Sequence, residues 1–239
     1  MVVLTLNSKL ESIPVKIKAP LLSLITIVFT VIGFLLTYIN WSLLPLLSGI
    51  PGTIAMISHL LREDPYEAVK QSFLWAVSLA ATITFLILLD PAAAEIAIPY
   101  GKAYVLGEST NFKFFSFIKA FTLDLIILVV TSVISCGFLS MILNSVVICG
   151  LCFYLGTSII YGLSSTSIVT FTIWGIYFVL RTLGSISVCV GSAIPTLYIV
   201  SGRDVSLKEA LHWISYGIVF STISIVINLF LRLVQQLLL

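Results

Sequence analysis

Two pairs of residues in this chain are of types that carry chemistry, and both lie within apolar sequence. Cys149 and Cys152 form a Cys-x-x-Cys motif, the spacing used by thiol oxidoreductases. That chemistry needs a thiolate, which is favoured near positive charge or at a helix N-terminus. The neighbouring residues here are Val, Ile, Leu and Phe, which disfavour the thiolate. We therefore interpret the motif as inert and keep a membrane thiol oxidoreductase as a third hypothesis only.

The second pair is Asp124 and Arg181, two ionisable residues well inside apolar segments. A charge at the centre of a bilayer costs at least about 2.5 kcal/mol on insertion scales and normally has a partner or a function. A structural ion pair, or an Arg181 that extends to the interface, is one interpretation; a role in the passage of a substrate or of protons is the other. Simple counting puts Arg181 deeper than Asp124, so pairing requires the helix of Arg181 to start late or to tilt.

Prolines and glycines interrupt two further apolar segments that share an order of features. Stretches 48–75 and 191–213 each contain Ile-Pro, then an Arg near an Asp, then Glu-Ala before another apolar run. A proline inside a span leaves a carbonyl that neighbours or water must satisfy. Interrupted segments in corresponding positions of two halves indicate the midplane site of a transporter. The candidate residues for such a site are Gly49, Pro51, Gly52, Gly191 and Pro195. The alternative is that these residues only kink their helices.

No pattern in the sequence indicates a metal, a cofactor or a catalytic centre. His59 and His212 are single residues without other metal ligands nearby in the sequence. No ATP-binding loop, serine nucleophile elbow or zinc-ligand helix is present in the sequence. We expect no metal and no cofactor, and a function other than enzyme catalysis.

Composition identifies the surroundings in which these residues must be held. Of the 239 residues, 59% are hydrophobic and 9% are charged, whereas a soluble domain carries roughly 25% charged residues. The sequence therefore predicts an integral membrane protein whose first partner is the lipid bilayer. A net charge of +2 gives no signal of direct nucleic-acid binding.

The lengths of the apolar runs predict an all-α fold, a polytopic transmembrane helix bundle of about seven spans, with six to eight allowed. We place the spans at 19–38, 41–61, 72–89, 115–138, 141–162, 167–200 and 211–231. The turn between the fourth and fifth is predicted near Ser140, flanked by Gly137 and Asn144. The sixth span would be about 50 Å long against a core of about 30 Å, so we expect it to be bent, broken at Gly184 or Pro195, or partly re-entrant. Segment 90–114 is expected to be an interfacial helix, with a lid as the alternative.

These spans form a single integral membrane domain over 1–239. If the repeated order of features is a parallel duplication of a three-helix unit, the halves are 19–90 and 141–239, joined by a linker helix at 115–138. The alternative is that a proline, a charged turn and Glu-Ala at the start of a helix are common in membrane proteins and recur here without duplication. A bias of Lys and Arg puts the N-terminus in the cytoplasm, and we expect a prokaryotic cytoplasmic membrane.

The function that these features favour is a membrane transport or translocation component. It is either a small-solute permease or the membrane-channel subunit of an export or uptake machine, and a homo-oligomer or partner membrane subunits are compatible with both. The alternative is a non-transporting scaffold or assembly subunit. The two differ in whether Pro51, Pro195, Asp124 and Arg181 converge on a water-filled cavity.

Overall fold

A computed structural model of the chain describes residues 15–90, 92, 114–160, 168–204 and 206–238. Within these residues the chain forms seven helices and no strand, which confirms the all-α prediction. Five helices (α1, α2, α3, α6 and α7) are long and apolar enough to cross a membrane, and α4 and α5 have shorter apolar stretches over the residues searched. The helices are α1 (Val15–Leu36), α2 (Leu43–Leu60), α3 (Pro65–Leu89), α4 (Phe114–Ser135), α5 (Phe138–Ile160), α6 (Ile168–Ser201) and α7 (Leu207–Leu238).

The centre of the bundle is the contact of α2, α3 and α5. Trp75 of α3 is fully buried, and its indole N–H donates a 2.7 Å hydrogen bond to the carbonyl of Ser48 on α2. Gly52, one turn further along α2, lies against the Trp75 ring. A buried indole whose N–H is satisfied joins two helices both by packing and by a polar bond. Helix α1 packs on α2 and α3, and α4 packs on α5 and α6.

Helices α6 and α7 form a closely packed hairpin. A methyl group placed on Gly191 of α6 would come within 2.8 Å of the carbonyl oxygen of Ala210 and the backbone nitrogen of Ile214 on α7. Two helix backbones approach this closely only where side chains are small. Gly191 is therefore a helix-packing residue in this fold.

The turn between α2 and α3 meets the turn between α6 and α7 at one end of the bundle, which we name the charged end. Arg203 Nη1 lies 3.2 Å from Glu63 Oε1 in an ion pair between the two turns. Asp64 begins α3 by accepting a hydrogen bond from the backbone N–H of Glu67 at 3.0 Å. The contact shows that the two stretches with the same order of features, 48–75 and 191–213, each turn at this end of the bundle.

Two boundaries differ from the sequence prediction, and one of the alternatives for the sixth span is excluded. The turn between α4 and α5 lies at Cys136 and Gly137, whose φ angles are +52° and +89°. Ser140 is therefore inside α5, because the glycine tolerates the left-handed conformation that the turn requires. Helix α6 continues without interruption through Gly184 and Pro195, so the broken alternative is excluded. Helix α3 begins at Pro65, seven residues before the predicted span, because Asp64 caps it there.

Segment 90–114 lies largely outside the described residues, so the interfacial helix stays a prediction. The parallel duplication stays a prediction as well. In the first proposed unit α1 packs extensively on α3, whereas α5 and α7, the corresponding pair in the second, share no comparable interface among the described residues. The orientation of the N-terminus also stays a prediction.

Candidate functional site

The structure brings Arg181 of α6 against Asp124 of α4. Arg181 Nη2 donates a 3.3 Å hydrogen bond to Asp124 Oδ2. The guanidinium carbon also lies 4.0 Å from the ring centroid of Phe121, a cation–π contact. Phe121 and Asp124 are three residues apart and so share one face of α4. The two charges differ in burial, since the Arg181 side chain is 5% exposed and that of Asp124 is 44% exposed.

The pair lies far from the charged end of the bundle. Ser185, one turn after Arg181, donates a 2.8 Å hydrogen bond to Asn144 Oδ1 of α5. The next residue of α5, Ser145, donates to the carbonyl of Pro45 in the first turn of α2. Arg181 is therefore close to the level of the α1–α2 turn. At 1.5 Å per residue it lies about 30 Å along α6 from the charged end.

Arg181 and Asp124 lie at the same level of the bundle, which corrects the expectation that Arg181 lies deeper than Asp124. Arg181 is preceded by thirteen residues of α6 and Asp124 by ten residues of α4, so α6 extends about one turn beyond the start of α4. That extension brings the two side chains to the same level. Helix α6 begins at Ile168, one residue after the predicted span, so the pair forms without the late start that counting along the sequence required.

A cavity of about 110 Å³ opens beside the pair. Its polar lining comes from Asp124, Arg181, Asn144 and Ser185, and four apolar side chains of α4 and α5 complete it. Two of these lining residues carry a buried donor, Arg181 Nη1 and Asn144 Nδ2, that has no hydrogen-bond partner among the described residues. Buried donors are almost always satisfied by protein, water or a ligand. The cavity thus combines two vacant donors and one half-exposed carboxylate in an otherwise apolar wall.

The proline and glycine candidates do not join this cavity. Of the four residues expected to converge if the chain is a transporter, only Asp124 and Arg181 line it. Pro51 lines a second cavity of about 110 Å³ between α1, α2 and α3, which reaches His59 and Arg62 near the charged end. Pro195 is half-buried in α6 and lines neither of these two cavities. Three glycine candidates are packing residues instead: Gly49 lies against α5, Gly52 against α3 and Gly191 against α7.

The Cys-x-x-Cys thiols belong to the apolar core. Cys149 and Cys152 are at most 1% exposed and pack among the buried side chains around Trp75 and Phe153. Cys149 Sγ lies 4.0 Å from Ser48 Oγ of α2, within the distance of a weak hydrogen bond to sulfur. Among the described residues, no group of three His, Cys, Asp or Glu side chains is placed to hold a metal ion.

Sequence reasoning missed three residues of the site. Asn144 was considered only as the flank of a turn, and Ser185 and Phe121 were not considered. A signal existed for two of them, because Ser185 follows Arg181 by four residues and Phe121 precedes Asp124 by three, spacings that share a helix face. The sequence gives no comparable signal for Asn144, which lies on another helix.

No protein-family model, curated protein or solved structure matches this chain. Function must therefore be inferred from the geometry of the site.

Proposed function

We propose that this chain is an integral membrane transport or translocation component, either a small-solute permease or the membrane-channel subunit of an export or uptake machine. The observation that carries the proposal is the pair of vacant donors, Arg181 Nη1 and Asn144 Nδ2, at a cavity within a bundle of apolar helices. Leaving a buried donor unsatisfied costs about 1–3 kcal/mol. A solute whose oxygens accept hydrogen bonds from these donors would remove that cost when it binds.

The packing between the cavity and the charged end supports the same proposal. The Cys136–Gly137 turn is covered by Met56 and Ala193, and Met56, Met141 and Ala193 are completely buried. In a transporter, this apolar layer is the barrier that separates the solute site from the water at the charged end. Apolar constrictions of this kind close a pathway by excluding water.

Access of water to the cavity separates transport from the scaffold alternative. In a chain whose four native cysteines are replaced by Ala, we would introduce Ser185→Cys, which places a thiol on the cavity wall. The matched control is Ser187→Cys, two residues further along α6 and equally buried, but one turn from Gly191 and thus on the face packed against α7. Each variant is treated in sealed vesicles with a charged, membrane-impermeant methanethiosulfonate reagent from either side.

The transport proposal requires that Ser185→Cys reacts from at least one side and that Ser187→Cys does not. Prior occupancy of the cavity by solute should slow the reaction, and flux into proteoliposomes should then be blocked by the modified thiol. If a folded Ser185→Cys variant is as unreactive as the control from both sides, the cavity is sealed. The ion pair is then structural and the scaffold function replaces transport.

A further inference from the structure

We infer that the cavity between α4, α5 and α6 binds a small ligand that carries both an oxyanion and a protonated amine and has no net charge. This inference names the solute class of the proposed transport function and rests on it. It is carried by three side chains of the cavity, Arg181, Asn144 and Asp124, and by the way their charges and donors are distributed.

The two vacant donors define one end of the ligand. Arg181 Nη1 and Asn144 Nδ2 are both buried and both lack an acceptor. A second group of each side chain is engaged: Arg181 Nη2 with Asp124, and Asn144 Oδ1 with Ser185. A carboxylate or phosphate presents two oxygens to two such donors, and hydrogen bonds from a guanidinium to an oxyanion are among the strongest in proteins.

Charge balance in the cavity defines the other end of the ligand. The cavity contains one cation, Arg181, and one anion, Asp124, so its lining is neutral. A lone anion would bind next to the Asp124 carboxylate and leave the site with a net negative charge in apolar surroundings, which is unfavourable. An ammonium group on the same ligand removes that charge and finds an acceptor in Asp124, whose side chain is 44% exposed.

Two sources supply this chemistry: a free amino acid, and the headgroup of an ethanolamine phospholipid. The cavity borders the outer face of α4, where Ile127 is exposed and Asp124 is half-buried, so a headgroup can reach it from the bilayer. The test must therefore present both the free and the lipid form of the ligand.

The first arm compares three probes on the full-length protein purified in detergent, with binding measured by ligand-observed NMR. Glycine carries both groups, acetate only the oxyanion and methylammonium only the amine. We expect glycine to bind at least about tenfold more tightly than either single-group probe, which corresponds to about 1.4 kcal/mol. This comparison uses the unaltered protein, so it does not depend on the folding of any variant.

Two variants assign the probe to the cavity. Asn144→Leu should weaken glycine binding about tenfold, because the Leu side chain has nearly the same shape as Asn but lacks the donor. The control is Asn228→Leu, a buried Asn on α7 outside the cavity, which should bind glycine normally. Asp124→Asn leaves a site with a net positive charge and should invert the preference from glycine to acetate, a change that a purely structural role would not produce.

The second arm compares nanodiscs of phosphatidylethanolamine with nanodiscs of phosphatidylcholine, whose quaternary ammonium cannot donate a hydrogen bond. Stabilisation by the ethanolamine lipid that Asn144→Leu removes, without glycine binding, identifies the lipid as the source. Acetate binding as tight as glycine binding overturns the charge argument. Absence of binding in both arms overturns the inference. If Ser185→Cys is nevertheless reactive, the cavity is open to water. The transport proposal then stands without the inferred ligand class.

Discussion

Removing one member of the Arg181–Asp124 pair should have unequal effects, depending on which charge is left behind. Asp124→Leu leaves the guanidinium of Arg181, which is 5% exposed, without its counter-charge. Arg181→Met leaves Asp124, whose side chain is 44% exposed and can be hydrated. We therefore expect Asp124→Leu to be the more destabilising of the two. The double variant, which removes both charges, should recover most of the lost stability.

The magnitudes follow from the burial of each partner. Breaking a buried pair so that a buried charge remains costs about 3–5 kcal/mol, which applies to Asp124→Leu. For Arg181→Met the ion pair counts as an exposed one, worth at most about 1 kcal/mol. The cation–π contact with Phe121 adds about 0.5–2 kcal/mol. The loss for Arg181→Met should thus be about 0.5–3 kcal/mol. For a chain of this size each kcal/mol corresponds to roughly 2–4 °C in Tm.

The assay is thermal unfolding of the detergent-solubilised single and double variants, read by intrinsic fluorescence. A surface control is Lys70→Met, which breaks an exposed ion pair with Glu67 on α3 and should leave Tm unchanged, because exposed ion pairs contribute little to stability. Equal losses for Asp124→Leu and Arg181→Met would refute the burial argument. Losses that simply add in the double variant would refute the coupling of the two charges.

Three other variants test separate features of the fold. Gly191→Ala should destabilise the α6–α7 hairpin by about 1–3 kcal/mol in a thermal unfolding assay, because its methyl group meets the α7 backbone; Gly175→Ala, with open space around it, should be neutral or slightly stabilising. Replacing both thiols of the Cys-x-x-Cys pair by Ala should leave assembly and transport intact, since both are core residues; loss of flux in the folded double variant would favour redox chemistry. The hydrogen bond from the Tyr38 hydroxyl to the Asp90 carboxylate raises the pKa of that phenol above its usual value of 10.0. Its contribution to stability is therefore present below pH 10 and is lost as the pH rises through the raised pKa, so Tyr38→Phe and the unaltered chain should converge in Tm at alkaline pH, and divergence there would contradict the assignment.

Much of the architecture is a local property of the sequence. The length and hydropathy of each apolar run are sufficient to predict a helix that belongs in a bilayer, and the seven predicted segments correspond to α1–α7. The intramembrane charges were recognisable for the same reason, because an ionisable side chain stands out against apolar neighbours. Helix ends were less predictable. Asp64 caps α3 before the apolar run of that helix begins, and Gly137 turns the chain inside the continuous apolar tract that forms α4 and α5.

What only the tertiary structure decided is how far each helix is displaced along its axis relative to its neighbours. Nothing local to α6 determines which of its turns faces Asp124, because the level of Arg181 depends on contacts such as Ser185 with Asn144 and Gly191 with α7. The same displacement puts Pro51 and the ion pair at different cavities. It also makes Asn144 a vacant donor beside Arg181, although 37 residues separate them in the sequence. Hydrophobicity is nearly uniform along these helices, so close packing and hydrogen bonds between specific residues are what fix the depth of each side chain.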